Sequence, residues 1–324
     1  MIISSSIELR NLTGSYYTNN DFTKVATDVE LETEAIVRLV GQAIYDRAKA
    51  IYTPSTDGKV PGTIANDATD TNKALLKHLQ LPIALGAAFK YYQANLVSHD
   101  DTSRKVKIDK GSESMAWQWM IDKDDEAHLR KTQRATDRLI AWLDKTDLEE
   151  WANSDEKKAA KKLFIPNTAA FQEHYPIDFS GLFYHTVRPF IADVQRNAIR
   201  QALGDDYQPL LNDFIAQSVP EAKEPLLSLT QQALALLTMA KALKRLSIQV
   251  LPRGVVQQFE AERHTQKGAQ IPPSEDLRKY ALYLERDAED ALDDIRKYRY
   301  ENQPEYNPQD LAPHNDPCKK YART

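Results

Sequence analysis

The sequence predicts a mostly α-helical protein made of two diverged copies of one module, each carrying a short β-hairpin or arm, followed by an extended C-terminal tail. Three observations predict it. Glycine is sparse, ten in 324 residues, which suits long helices better than the many tight turns of an all-β chain. Apolar residues recur at i, i+3 and i+4 over several long stretches, the period of a helix with one buried face. The same order of segments then occurs twice at almost one offset. With 42% hydrophobic and 27% charged residues the balance is that of a folded chain, and the length suits about two domains. The expected division is residues 1–150 as the first module, 151–176 as a linker, 177–302 as the second module and 303–324 as a proline-rich tail.

After a polar, extended start, residues 31–52 place Leu31, Ala35, Leu39, Ala43, Ile44 and Ile51 at helical spacings. Residues 53–72 hold Pro54, Gly58, Pro61 and Gly62 among Asp, Asn and Thr, the composition of a surface loop. A second helix over 71–97 carries Leu75, Leu79, Ile83, Ala87, Tyr91 and Ala94 on one stripe, with Pro82 predicting a kink. In 98–115, Val106 and Ile108 alternate with charged residues until Gly111 ends the run, as in a half-exposed strand. A third helix follows, from Met115 or Asp122 to Leu148. It sets Ala127, Arg130, Arg134, Asp137 and Arg138 toward solvent and Leu139, Trp142 and Leu143 toward a core.

The second half repeats this order. An amphipathic helix over 180–203 stops at Gly204, an apolar helix over 226–250 ends before Pro252, and 254–262 reads as a strand. A last helix over 274–300 opens on Ser274, Glu275 and Asp276, a capping hydroxyl and two carboxylates that complement the helix dipole. Ile36, Leu39, Ala43 and Ile44 match Ile191, Val194, Ala198 and Ile199 at an offset of 155. Leu75, Leu76, Ile83, Ala84, Leu85 and Lys90 match Leu226, Leu227, Leu234, Ala235, Leu236 and Lys241 at 151. Ala135, Asp137, Leu139 and Trp142 match Ala288, Asp290, Leu292 and Ile295 at 153. Any two amphipathic helices can be slid into some match, but three in one order at nearly one offset mark a repeat. Between the copies, the charge-rich stretch 155–162 is flanked by Trp151 and Phe164. The tail, with Pro304, Pro308, Pro313 and Pro317, cannot build its own core; disorder and a strap across a neighbouring subunit both fit it.

No catalytic constellation is visible, and no catalytic, cofactor-binding or metal-ligating residue is assigned. The formal net charge of -5 argues against a dedicated nucleic-acid binder. Cys318 is the one cysteine, which excludes an intrachain disulfide and a thiolate metal cage. No apolar run approaches the roughly 20 residues of a bilayer span, and Met1 to Arg10 lacks a secretion signal, so no membrane is expected and synthesis belongs in the cytoplasm. Gly58 and Lys59 lack the spacing of a phosphate loop. His314 and Cys318 have a metal-ligand spacing, but in a proline-rich tail. Glu173, His174, Asp178 and His185 gather ligand-type residues that read more simply as helix-entry contacts. Asp122, Asp124, Asp125 and Glu126 lack the glycine and bidentate glutamate of a calcium loop, and read as a helix N-terminus. Lys157, Lys158, Lys161 and Lys162 can share one helix face, diluted by Asp155 and Glu156. Trp117 and Trp119, beside the first arm, read equally as core residues or as anchors of a subunit contact.

Phe179, Phe183, Val187, Ile191, Ile199, Leu203, Gly204, Tyr207 and Leu211, followed by the apolar helix 226–250 and the arm 253–263, resemble a family of Bacteroidetes phage and prophage virion proteins. The helix, helix, arm, helix order is also similar to the head-tail connector, or adaptor, proteins of tailed phages, which form a ring beneath the portal. The resemblance covers residues 177–300, and the first copy only through the repeat. It implies a structural virion protein of the head-tail junction, present in host cytoplasm during assembly. The implied partners are its own copies in a ring, commonly a dodecamer, then the portal protein and tail or neck proteins, with DNA passing through the channel without sequence-specific binding. Cofactors are not implied. The implied contact residues are Val106 and Ile108 on the first arm and Val255, Val256 and Phe259 on the second, whose strand edges can pair with a neighbour. Trp117, Trp119 and, in the tail, Tyr306 complete the set. The duplication departs from single-module adaptors, which leaves subunit count and position open. The other readings are a tail-completion or capsid-associated protein, a non-viral helical scaffold or binding module, or an enzyme whose site the sequence does not reveal.

Overall fold

The computed structural model describes residues 1–14, 16, 21–95, 98–99, 104–105, 117–246, 248–251, 254–257 and 274–302. The protein is mostly helical, and the strands among the described residues form three two-stranded antiparallel hairpins. The chain divides into two compact units. Unit 1 takes Met1–Lys162 and Pro166–Arg188; unit 2 takes Leu163–Ile165, Pro189–Gln257 and the last helix.

The start of unit 1 corrects the expectation of an extended segment. Helix α1 runs over Ser6–Thr13 because Ser5, Ser6, Ile7 and Glu8 form a capping box. The Ser5 hydroxyl accepts from the Glu8 amide at 3.3 Å, and the Glu8 carboxylate turns back to accept from the Ser4 amide at 2.8 Å. The serines that made the segment look polar are thus its cap, and Ile2, Ile3 and Leu9 are fully buried. Glu8 also accepts from the Tyr52 hydroxyl at 2.7 and 2.9 Å and from the Gly62 amide at 3.2 Å. This ties the N-terminus to the hairpin of β1 (Tyr52–Thr53) and β2 (Thr63–Ile64), inside the stretch expected to be plain loop. Burial first, and then the Glu8 carboxylate, hold the Tyr52 phenol above its usual pKa.

The helix expected over 31–52 is two: α2 over Thr23–Val40 and α3 over Gln42–Ala50, parted at Gly41, whose φ of 91° suits glycine. Val25, Val29, Ile36 and Val40 form the buried stripe of α2, and Leu31 and Ala35, off that stripe, face solvent, the reverse of the expectation for those two. Helix α4 covers Asp70–Ala94 as expected, capped by Thr69. It buries Leu75, Leu76, Leu79 and then every residue from Pro82 to Ala88; Pro82 does not end it. Gly86 lets α2 lie close, since a Cβ there would strike the Glu32 carboxylate, which passes over it to pair with Lys90. A hairpin of β3 (Ser98–His99) and β4 (Arg104–Lys105) follows, then α5 over Gln118–Lys145.

Residues 146–176 carry α6 (Glu149–Ala152), α7 (Asp155–Ala160) and α8 (Thr168–His174). Trp151 is buried and donates its indole N–H to Asp144 at 2.9 Å. Asp137, expected to face solvent, is half-buried and holds the start of α9 (Gly181–Val194), accepting from the Ser180 hydroxyl at 3.0 Å and the Leu182 amide at 2.8 Å.

In unit 2, Leu163, Phe164 and Ile165 are buried, and both backbone polar groups of Phe164 are satisfied by side chains. Its amide donates to the Gln195 carbonyl oxygen at 2.8 Å, and its carbonyl accepts from the Gln231 amide at 2.7 Å. Gln195 opens a π-helical turn, Gln195–Ile199, between α9 and α10 (Arg200–Leu203). Arg299 closes α10, donating to the Ala202 carbonyl at 2.9 Å and pairing with Asp206 at 2.6 Å, over a glycine, Gly204, whose φ is 51°. Helix α11 (Tyr207–Ile215) precedes α12 (Glu224–Arg245). Ile248 to Val250, expected to continue α12, instead belong to β5 (Ile248–Leu251), paired with β6 (Gly254–Gln257). The β-branched Ile248 and Val250 favour the strand. Helix α13 runs over Ser274–Glu301. By length and composition α12 and its approach, Glu221–Arg245, are apolar enough to cross a bilayer, contrary to the expectation of no such run, and half of the apolar window is buried inside the protein.

The order of amphipathic helix, long helix, hairpin and 28-residue helix therefore occurs twice along the chain. Lys90 and Lys241, matched in the repeat, each pair with a carboxylate of the preceding amphipathic helix, Glu32 and Asp193.

Truncating Glu8→Ala strands the Tyr52, Ser4 and Gly62 donors and should cost about 3 kcal/mol, read as a lowered urea midpoint; Tyr52→Phe should cost less, and the two changes should be less than additive. Phe164→Ala should lose about 3–5 kcal/mol and raise amide hydrogen exchange in α11 and α12 while leaving α2 and α4 protected.

Candidate interaction surface

The residues expected to make contacts fall into three groups. Val106, Ile108, Phe259 and Tyr306, like His314 and Cys318, lie outside the described residues. Val255 and Val256 sit on β6, in register with Val250 and Gln249 of β5. Trp117 and Trp119 open α5 and are exposed, 70% and 45%, so of their two readings the core one is excluded. Met120 beside them is exposed as well, and the Lys123 ammonium lies 5.2 Å from the Trp119 ring centre.

Exposed indoles at a helix start are costly in water unless something covers them, and tryptophan is the residue most often found at the energetic centre of protein contacts. The outer face of α5 continues with Leu129, 47% exposed, among charged residues. Helix α13 presents the same combination: Leu282 at 53% and Tyr283 at 63% exposure, beside Lys279 and Arg286. Neither leucine lies on its helix's buried stripe, so a search for amphipathic faces passes over both. Their equivalence in the 153-residue register is the signal that finds them.

The other candidates are dispersed. Among the described residues no three His, Cys, Asp or Glu side chains are placed to hold a metal. His185 is not joined by Glu173, His174 and Asp178; instead its Nδ1 lies 3.6 Å from Glu156 on α7, and Arg188 pairs with the same carboxylate. The lysine patch is broken up, because Lys157 turns inward to Asp144 at 2.6 Å and over the Trp151 ring. The acidic run lies in the second and third turns of α5 rather than at its start, where Asp124 and Glu126 pair with His128 and Arg130.

His185 is held below its usual pKa, first by burial among Trp151, Tyr184 and α7, and then by Arg188 and Lys157 against the opposite pull of Glu156 and Asp144. His78, stacked on Trp142 at 5.0 Å, is lowered too, by burial and then Arg138 and Lys77. For a base whose folded pKa is depressed, the unfolded chain takes the proton first, so stability falls as pH drops below the unfolded value of about 6.5. His185→Gln should make the loss of unfolding midpoint between about pH 7 and 5.5 shallower, as measured by urea titration at each pH.

A model of a family of unknown function (DUF6712) matches residues 197–315, which takes in the second module from the π turn through α13 and is less than half of the chain. No curated protein and no solved structure matches.

Proposed function

We propose that this chain is a structural virion protein, a head-tail connector subunit that assembles with its own copies into a ring at the portal-tail junction of a tailed phage. The observation that carries this reading is the twofold occurrence of amphipathic helix, long helix, hairpin and 28-residue helix in one chain, the order on which the likeness to connectors rests. Three features support it. Among the described residues both hairpins that follow the long helices are two-stranded, and the edge of a two-stranded ribbon is a surface that a neighbour can extend. Trp117, Trp119 and Met120 stand exposed where α5 begins, next to the first of these hairpins in sequence. A net charge of -5 keeps a channel from gripping the DNA that passes through it.

Negative-stain microscopy with mass measurement of the purified protein, together with mass spectrometry of intact particles, tests the reading. Closed rings and several copies per virion are expected; a chain that stays monomeric and is missing from particles overturns it. Because both indoles are exposed, a Trp117→Ala, Trp119→Ala variant should keep its fold by circular dichroism and lose about 2 kcal/mol or more per subunit contact, seen as a higher concentration needed for assembly.

A further inference from the structure

Helix α7 buries only Ala160 among its six residues, and a helix so short has no stability of its own. Polar ties hold it. The Glu156 carboxylate pairs with Arg188 of α9, whose guanidinium also donates to the Glu156 carbonyl at 3.0 Å. Lys157 pairs with Asp144 of α5 at 2.6 Å and lies over the Trp151 ring of α6. These four charges, each less than one-third exposed, balance: two cations against two carboxylates. His185 of α9 stands among them. Its side chain is 12% exposed, its Nδ1 is buried without a hydrogen-bond partner among the described residues, and a Glu156 oxygen lies 3.6 Å from it. Glu156 and Lys157 face it from α7, Arg188 from its own helix and Asp144 from α5, and the rings beside it, Trp151 and Tyr184, carry no charge in the acid range. A neutral His185 leaves this cluster balanced. A proton on it adds a third cation with no third carboxylate.

We propose that His185 is a proton-operated latch on α7: a protonated His185 is incompatible with the docked helix, so acid frees residues 154–162 from α5 and α9 while the rest of unit 1 stays folded. Glu156 is within reach as a partner for the imidazolium, but Arg188 already holds that carboxylate, so what His185 gains Arg188 loses. The surplus charge is relieved either by losing the proton or by parting the cluster, and parting it exposes little apolar surface. Docked, the imidazole is held below its ordinary range by burial; released, it titrates near a pH of about 6.5, so protons favour the released form as pH falls. Residues 154–162 then become free chain between Trp151, anchored on Asp144, and Phe164, whose backbone Gln195 and Gln231 hold in unit 2. Acid thereby lengthens the connection that leads out of unit 1. Nothing in this latch depends on self-assembly.

Amide hydrogen exchange of the full chain, followed by mass spectrometry and corrected for the intrinsic effect of pH on exchange, tests the latch. Between about pH 7.5 and 5.5, uptake of one proton on release should raise the opening of 154–162 about tenfold, while α4 exchanges more slowly throughout. His185→Gln should abolish the rise, and His185→Asn serves if that variant does not fold. His78→Gln, on α4, should keep it. A wild-type rise below about threefold is too small for a whole proton and overturns the latch whether or not either variant folds. So does a rise shared equally by α4, the mark of global unfolding, or one that survives without His185.

Discussion

Helices α4 and α12 carry more apolar surface than a single neighbour can cover, and that constraint organises each unit. In α4 every residue from Pro82 to Ala88 is buried, so it needs partners on several sides, which α1, α2, α3 and α5 supply. A small residue decides how near α2 comes: Gly86 leaves room for Glu32 to pass over it and reach Lys90. In unit 2 the stripe Ala281, Leu284, Ala288, Ala291, Leu292 and Ile295 of α13 lies along α12, whose own buried positions include Ala233, Ala235, Ala240 and Ala242. Small side chains on both helices suit a long, close contact. The lysine at the rim of each long helix then adds a polar tie at the place where the apolar stripe ends.

Burying such helices forces nearby backbone out of water, and both units answer with side chains that satisfy it. Buried amides and carbonyls left unpaired cost as much as a lost hydrogen bond or more. In unit 1, Glu8 collects donors from Ser4, Tyr52 and Gly62, which compensates its own loss of hydration. In unit 2, Gln195 and Gln231 complete the backbone of Phe164, whose ring packs against Tyr207 and Phe214 at 5.9 Å each. The π-helical turn falls at Gln195 itself, where an inserted residue redirects the side chain that meets Phe164.

The long helices were legible because their apolar residues keep a 3.6-residue period over many turns, and Ser274 announces one of the starts; the Thr69 cap of α4 came from the structure. Features set by a few local bonds were not. The capping box of α1 was present as Ser5 and Glu8, but eight residues are too few for periodicity to speak, and four neighbouring polar residues masked it. Gly41 divides a pattern that reads as continuous, and the first turns of α2, with Val25 and Val29, show the stripe that leaves Leu31 outside. Asp137 has the spacing of a solvated residue and gains its role from Ser180 and Leu182, forty residues and more away, which no local pattern reports. At the candidate surface, Trp117 and Trp119 were located but not decided, since large aromatic rings are equally at home in cores and contacts. Leu129 and Leu282 were invisible singly, because a lone exposed leucine is ordinary on any protein.

Divergence between the copies runs along a clear division. Positions that face the core keep their character, Ala135 with Ala288 and Leu139 with Leu292, while positions off the core vary: Lys123 with Asp276 and Glu126 with Lys279 reverse sign, and Asp122 with Glu275 and Asp137 with Asp290 do not. What the two copies hold in common besides the core is the tie at its rim: Lys90 and Lys241, matched in the repeat, each reach a carboxylate of the amphipathic helix before them, Glu32 and Asp193. Such a tie persists because it depends on the packing of the long helix against its neighbour, which the repeat keeps, whereas the outer surface is free to change.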